Sequence, residues 1–295
     1  MTTTQRLRLA LATMLTLALA TCPLLAQAQS DEVPPDCAAM VKAIGIPDAH
    51  AGSELEILCR TGHLLAHSDT RKTPLWVVER LTPERFKGTA DRSKLCSFVP
   101  DPKVKNGAKD ADYQAKSKRE KRSFDRGHMA PAADMKWTDK AMKESCYFSN
   151  IAPQQGLNLN RHIWADLEGL VRDWTCDRGE VYVVTGPIFD VEPIDTLGAD
   201  EVAVPSAFYK LVYEPRQMRA IAFILPDKAV PRAGRTAADV LTGFIVKPSE
   251  VERRSGVKMF TAMSARDRNR LRANAAPMWG VKGGCKTKAV DAGGG

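Results

Sequence analysis

The segment Asp125-Arg126-Gly127-His128 puts an imidazole three positions after a carboxylate, just beyond a Lys-rich stretch. A neutral imidazole accepts a proton near pH 7, and a neighbouring carboxylate or carbonyl can fix its tautomer, so His128 is a candidate general base. From these four residues alone the plainer reading weighs more, with Asp125 and Arg126 a surface pair and His128 capping a strand. A second set follows at helical spacing. Asn160, Trp164 and Glu168 stand at i, i+4 and i+8, so they share one helix face. At about 1.5 Å of rise per residue, Asn160 and Glu168 are about 12 Å apart along the axis, too far to ligate one ion easily together. Glu168 can still reach back toward the first turn and hold a cation's water. Mg2+ suits that arrangement, because it keeps several waters and takes only one or two protein oxygens. Taken singly, Asn160 as a helix cap and Glu168 as a solvated acid are at least as good a reading.

Those side chains need elements to carry them. Leu75 to Leu81 reads as a strand, and residues 100–122 as a long polar surface loop. From Asn160 to Trp174, Trp164, Leu167, Leu170, Val171 and Trp174 recur at helical spacing, the clearest helix in the chain. Short β-type runs follow: Glu180 to Thr185 ending at Gly186-Pro187, Glu201 to Tyr213 ending at Glu214-Pro215, and Arg219 to Leu225 ending at Pro226-Asp227. A run around Phe244 to Val246 precedes a short helix beginning near Ser249. Residues 31–70 carry little pattern. Arg266 to Arg272 reads as a basic helix before a frayed, Gly-rich tail. Strands interrupted by one strong helix predict a mixed α+β domain rather than a doubly wound sheet.

Together, D-R-G-H, S-N-x-x-P-Q (from Ser149) and N-x-x-x-W-x-x-L-E (from Asn160) resemble the DNA/RNA non-specific endonuclease family of ββα-metal (His-Me finger) nucleases, which includes mitochondrial endonuclease G. Pro74-Leu75-Trp76-Val77, Thr185-Gly186-Pro187, Val204 to Lys210 and Ala222 to Pro226 extend the likeness in the same order, over roughly residues 70 to 262. Several separated motifs in order are far more specific than any one, and they outweigh the plainer readings. The resemblance implies a mainly antiparallel central sheet with flanking helices and a ββα-metal active-site motif. It sets the nuclease domain at 71–265, after a signal peptide at 1–28 and an N-terminal extension at 29–70, and before a basic C-terminal helix and tail at 266–295. It implies metal-dependent hydrolysis of phosphodiester bonds in DNA and RNA, with 5′-phosphate products. The general base then falls on His128, the metal-binding Asn on Asn160, and the Glu that positions metal-bound water on Glu168. The Asn of the S-N segment falls on Asn150. Asn158 is the decoy, since only Asn160 has Trp four and Glu eight residues on. Arg126 is a candidate for substrate-phosphate or structural contact, Asp125 belongs to the same motif, and Arg92 is the weaker upstream candidate. Mg2+ is the implied cofactor, with Mn2+ or another divalent cation in its place, and a homodimer is admitted. His50, His63 and His67 lie outside the likeness and read as surface or core histidines.

The whole chain agrees with this class. Its 295 residues are 44% hydrophobic and 26% charged, which excludes a disordered, collagen-like or small disulfide-scaffold protein. The net charge of +8 favours a polyanion partner, since Lys and Arg near phosphates gain affinity by releasing counterions. Lys116 to Arg122 lies directly before the D-R-G-H motif; a path for the substrate strand and a solvated loop are equally good readings of it. Arg6 and Arg8, an apolar run from Leu9 to Ala20, and Ala26-Gln27-Ala28 have the order of a secretory signal. That predicts an exported protein, periplasmic or extracellular, with lipid anchoring through Cys22 the weaker reading. The other six cysteines, Cys37, Cys59, Cys96, Cys146, Cys176 and Cys285, are enough for up to three disulfides. No stretch is long and apolar enough to span a bilayer. Two other classes compete with the enzyme: a nuclease fold that has lost catalysis, and a basic secreted protein that binds polyanions.

Overall fold

The computed structural model describes residues 34–49 and 55–285. The signal expected at 1–28, Cys22, His50 and the end of the tail lie outside them. Before the D-R-G-H motif come α1 (Pro35–Ile44), β1 (Asp48–Ala49), β2 (Leu55–Cys59), β3 (His63–Ser68), β4 (Thr73–Leu81), α2 (Arg92–Leu95) and α3 (Asp110–Gln114). The site-bearing part is β5 (Asp125–His128), α4 (Asp139–Ser145), β6 (Ile151–Gln154) and α5 (Ala165–Arg178). Then follow β7 (Val181–Ile188), β8 (Thr196–Leu197), β9 (Val202–Ala203), β10 (Ala207–Glu214), β11 (Arg219–Pro226), α6 (Ala237–Thr242), β12 (Ile245–Val246), α7 (Pro248–Ser255), β13 (Val257–Lys258) and α8 (Ala265–Ala273).

Seven strands form one antiparallel sheet in the order β12-β11-β10-β7-β4-β3-β2. Alternate side chains of a strand point to opposite faces, and here both faces are covered. Leu65, Val77, Val183 and Phe208 pack on one face with Leu167, Val171 and Trp174 of α5. Their neighbours Leu64, Trp76, Val184 and Tyr209 pack on the other with Met40 of α1, Val251 of α7 and Leu271 of α8. A strand buried on both faces reads as a nearly continuous apolar run, which is why β4, β7, β10 and β11 are visible in the sequence. The expected α+β architecture is thus the observed one. Trp174 anchors α5: its ring stacks on Phe223 at 6.2 Å, and its indole N–H donates to the Trp279 carbonyl at 2.9 Å.

Several local readings differ. β7 continues through Gly186-Pro187 to Ile188. Its pairing with β4 ends at Thr185, so Pro187 interrupts no ladder with β4, and from Gly186 onward the paired neighbour is β10. The run from Glu201 to Tyr213 divides into β9 and β10 around Val204-Pro205-Ser206. Residues 100–122 contain α3 as well as turns. β2 and β3, within the residues expected to be an extension, pair with each other and with β4 in the central sheet. The helix read as starting at Asn160 is irregular at first. The stretch Gly156–Trp164 is kinked, with Leu157 extended and Asn158 left-handed at φ 61°, and regular α-helix is established by Ala165. Asn158 accordingly sits in the entry turn, where Asn tolerates positive φ better than most residues.

Candidate active site

β5 and β6 form a two-stranded antiparallel ribbon in which Asp125 faces Gln154 and His128 faces Ile151. With the helix that follows β6, the ribbon makes a ββα unit. Gly127 is required by the ribbon, because a Cβ there would stand 2.6 Å from the Gln154 Cβ. The His128 ring packs against Phe98, with centroids 5.4 Å apart, and its Nε2 lies 3.4 Å from Cys146 Sγ. The packing desolvates the ring, and with Arg92 and His63 nearby its pKa is held down to about 3. His128 is therefore neutral at pH 7, the form that accepts a proton.

Asn150 holds the chain leaving His128. It is wholly buried. Its amide oxygen accepts from Ala130 N at 2.9 Å, and its Nδ2 donates to the carbonyls of Ala130 and Ser145 at 2.9 and 2.7 Å. Those bonds commit the side chain to backbone, so Asn150 clamps β6, the end of α4 and the segment after His128 together.

Asp125 does the corresponding work for Asn160. The Asn160 Nδ2 donates to Asp125 Oδ2 at 3.0 Å, and Arg161 grips the same carboxylate through Nε at 2.8 Å and through its Nη2. With its amide nitrogen fixed on Asp125, Asn160 presents its carbonyl oxygen elsewhere. Gly156 makes room for this contact, since a Cβ there would lie 2.6 Å from both Asp125 carboxylate oxygens. Arg126 turns instead to Asp110, donating through Nε at 2.8 Å, and lies over the Phe98 and Tyr113 rings.

Glu168, on the first turn of α5, is half-buried. Desolvation pushes its carboxyl up to about 7, opposed by the charges of Lys210, Arg172 and Arg92. The charge of Arg92 bears on both His128 and Glu168. Of the three residues at i, i+4 and i+8, Trp164 is buried against Phe208, while Asn160 and Glu168 are half-buried.

Sequence reasoning missed the buried ionisable groups near Glu168. Glu79 on β4 is 1% exposed with neither carboxylate oxygen hydrogen-bonded, and burial, with Asp134 and Glu168 close by, raises its pKa well above the ordinary range. Lys210 on β10, also 1% exposed, donates to Thr185 Oγ1 at 2.8 Å and sits over the Trp164 ring. Arg172 on α5 donates to Asp134 at 3.0 Å. The available signal was a Lys within the apolar run Ala207 to Tyr213 and a Glu after Val77-Val78. The basic stretch before the motif is largely paired within the protein: Lys118 with Glu201, Arg122 with Glu120, and Arg119 on the Pro193 carbonyl.

Three disulfides join Cys37 to Cys59, Cys96 to Cys146 and Cys176 to Cys285. The second stands beside His128, so the Cys96–His128–Cys146 grouping is a disulfide against an imidazole and holds no cation. A cleft of about 630 Å³ lined by Asp48, Glu252, Arg253, Lys258 and Arg272 among others shares no residue with the His128 group.

Residues 42–266 match the family described as DNA/RNA non-specific endonuclease. The mitochondrial nuclease EXOG of Danio rerio is 35% identical over 76% of this chain, which spans 65% of that relative's length. Nuclease C1 of Cunninghamella echinulata var. echinulata is 35% identical over 71% of this chain and 84% of its own. The mitochondrial endonuclease G of Homo sapiens is 34% identical over 72% of this chain and 71% of its own. Among solved structures, one of an EndoG/EndoGI complex superposes with a TM-score of 0.68 at 28% identity, covering 80% of this chain and 96% of that one. The relatives overturn the expectation of an exported protein, periplasmic or extracellular. Those from Danio rerio and Homo sapiens are mitochondrial by name, and the residues from which export was read are outside the described chain.

Proposed function

The chain belongs to the DNA/RNA non-specific endonuclease family and is a nuclease of the hydrolase class, and from that premise we propose that it is a divalent-cation-dependent endonuclease that cuts DNA and RNA with little sequence preference, leaving 5′-phosphate ends. The observation that carries this reading is the ββα unit, with His128 at the end of β5 and Asn160 held by Asp125 at the start of the same strand.

His128 takes a proton from water as the water oxygen attacks phosphorus. The bond from phosphorus to the 3′-oxygen breaks, and that oxygen leaves with a proton from solvent. Arg92 supplies positive charge where the phosphate gains negative charge. Asn150 is a positioning residue, holding the chain on either side of the base, and Asp125 orients Asn160. Arg126, committed to Asp110, shapes the wall beside Phe98. The donor set fits a hard cation. Asn160 keeps a carbonyl oxygen free of Asp125, and Glu168 is a carboxyl whose raised pKa a neighbouring cation would lower, so Mg2+ is the ion these oxygens favour. When bound there, the cation would offset charge on the scissile phosphate as a Lewis acid.

Plasmid DNA and RNA, each incubated with Mg2+ and then with excess EDTA, test the proposal. The expected result is loss of both polymers with Mg2+ and none with EDTA, and a fall of about a hundred- to ten-thousand-fold for His128→Ala with nucleic-acid binding retained. Binding of both polymers without cleavage by the wild-type chain would overturn it in favour of a polyanion-binding protein.

A further inference from the structure

At the edge of the central sheet, Glu56 of β2 lies directly across from His67 of β3, which puts the two side chains on one face with Cβ atoms about 5 Å apart. Asp69 follows immediately after β3. A register shift against β4 falls between Ala66 and His67, and such irregularities re-aim side chains. His67 is wholly buried, and neither ring nitrogen has a hydrogen-bond partner. Glu56 Oε2 and Asp69 Oδ1 are also buried and unpartnered. Asn106 donates to the other Asp69 oxygen at 3.2 Å, so Oδ1 is left facing inward. One donor atom from each of the three residues lies within 4.8 Å of the others, and His67 Nδ1 is 3.6 Å from Asp69 Oδ1.

Each buried polar atom left without a partner costs roughly 1–3 kcal/mol, and three that converge need a common partner. Two donors on one four-coordinate ion at about 2.0–2.2 Å lie roughly 3.4 Å apart, close to the His67–Asp69 spacing. We infer that Glu56, His67 and Asp69 form a second divalent-cation site, of the imidazole-and-carboxylate class that takes Zn2+ or a similar transition ion, pinning β2 to the sheet. An imidazole among the ligands separates it from the all-oxygen Asn160 and Glu168 group, because Mg2+ and Ca2+ prefer oxygen throughout. Lys72 and Lys105 are the cations near these carboxylates and the ring, and the Lys105 backbone N–H serves the Glu56 carboxylate, yet Glu56 Oε2 is left without a partner.

The full chain carrying Asn160→Ala removes the active-site contribution. Stripped with EDTA and dialysed against Zn2+, it should retain one Zn2+ per chain by elemental analysis. Added Co2+ should give visible absorption bands of an imidazole-ligated, low-coordinate ion. Adding Asp69→Asn or Glu56→Gln should weaken Zn2+ more than tenfold, with far-UV circular dichroism unchanged. The same two substitutions in the otherwise wild-type chain should leave Mg2+-dependent digestion intact. No retained Zn2+, octahedral Co2+ bands alone, or equal Zn2+ content with and without Asp69→Asn would each overturn the site.

Discussion

Asp125 touches neither the base nor the proposed cation, yet both ends of the site depend on it. It accepts from Asn160 and from Arg161, and it sits three residues before His128. Groups that orient a metal ligand typically carry about 10–100-fold in affinity or activity. Asp125→Asn should therefore raise the Mg2+ concentration at half-maximal plasmid nicking by about that factor. Gly156→Ala should do the same from a different position, because its Cβ would take the space of the Asp125 carboxylate. An unchanged Mg2+ midpoint in both variants would mean that Asn160 needs no help to face a cation. His128, Asn160 and Glu168 were singled out in the sequence by several motifs in order, since each taken alone had a plainer reading at least as good. Arg161 was legible as a residue, but nothing local says that a guanidinium will turn back to Asp125. Glu79 and Lys210 were hidden for a related reason. A charge in a strand ordinarily reads as a position facing water, and only the helical layer over the sheet makes these two internal.

The strands with continuous apolar runs announced themselves, whereas β3 did not. Its sequence His63-Leu64-Leu65-Ala66-His67-Ser68 is buried at every position, so polar residues fall where the pattern of a strand calls for apolar ones. The helix start is blurred for a different reason, since Leu157 and Asn158 break the helical backbone just before Asn160 and nothing in the spacing marks that kink. Connections between elements carry a further prediction. The Cys96–Cys146 bridge ties the end of α2, which bears Arg92, to the end of α4 beside His128. Its sulfurs are 50 residues apart in sequence, and closing such a loop restricts the unfolded chain by about 4 kcal/mol. Replacing both cysteines by Ala should lower the urea midpoint accordingly. It should also cut kcat with little change in KM for nucleic acid, because Arg92 loses its tether while the rest of the surface stays. An unchanged kcat with lowered stability would show that Arg92 is held in place by α2 alone.

Across the whole molecule, the same burial that tunes the site sets how stability responds to pH. His63, His67 and His128 are held down to about 3 to 4. Below pH 6.5 the unfolded chain binds protons on them that the folded chain does not, so these three make stability rise with pH up to that point. Glu168 and Asp227 are pushed up to about 7, and Glu79 is raised well above its ordinary range. From the ordinary carboxylate range upward the folded chain keeps protons on them that the unfolded chain has lost, so stability falls as pH rises through that window. In the metal-free protein the two sets oppose each other between about pH 4.5 and 6.5, which damps the pH dependence of the wild-type urea midpoint there. Asp227 is the place to unbalance them. It is buried, Oδ1 accepts from Gln155 N at 2.7 Å at the entrance to the site helix, and Oδ2 has no partner. Asp227→Asn keeps an oxygen for Gln155 and removes the ionisation. The variant should gain stability relative to wild type as pH rises, reaching on the order of 2–4 kcal/mol by pH 8, and its midpoint should rise more steeply than the wild type's from about pH 4.5 upward. Urea titrations at half-unit pH steps read both effects, and parallel curves for the two proteins would show that Asp227 ionises in the folded state as readily as in the unfolded one.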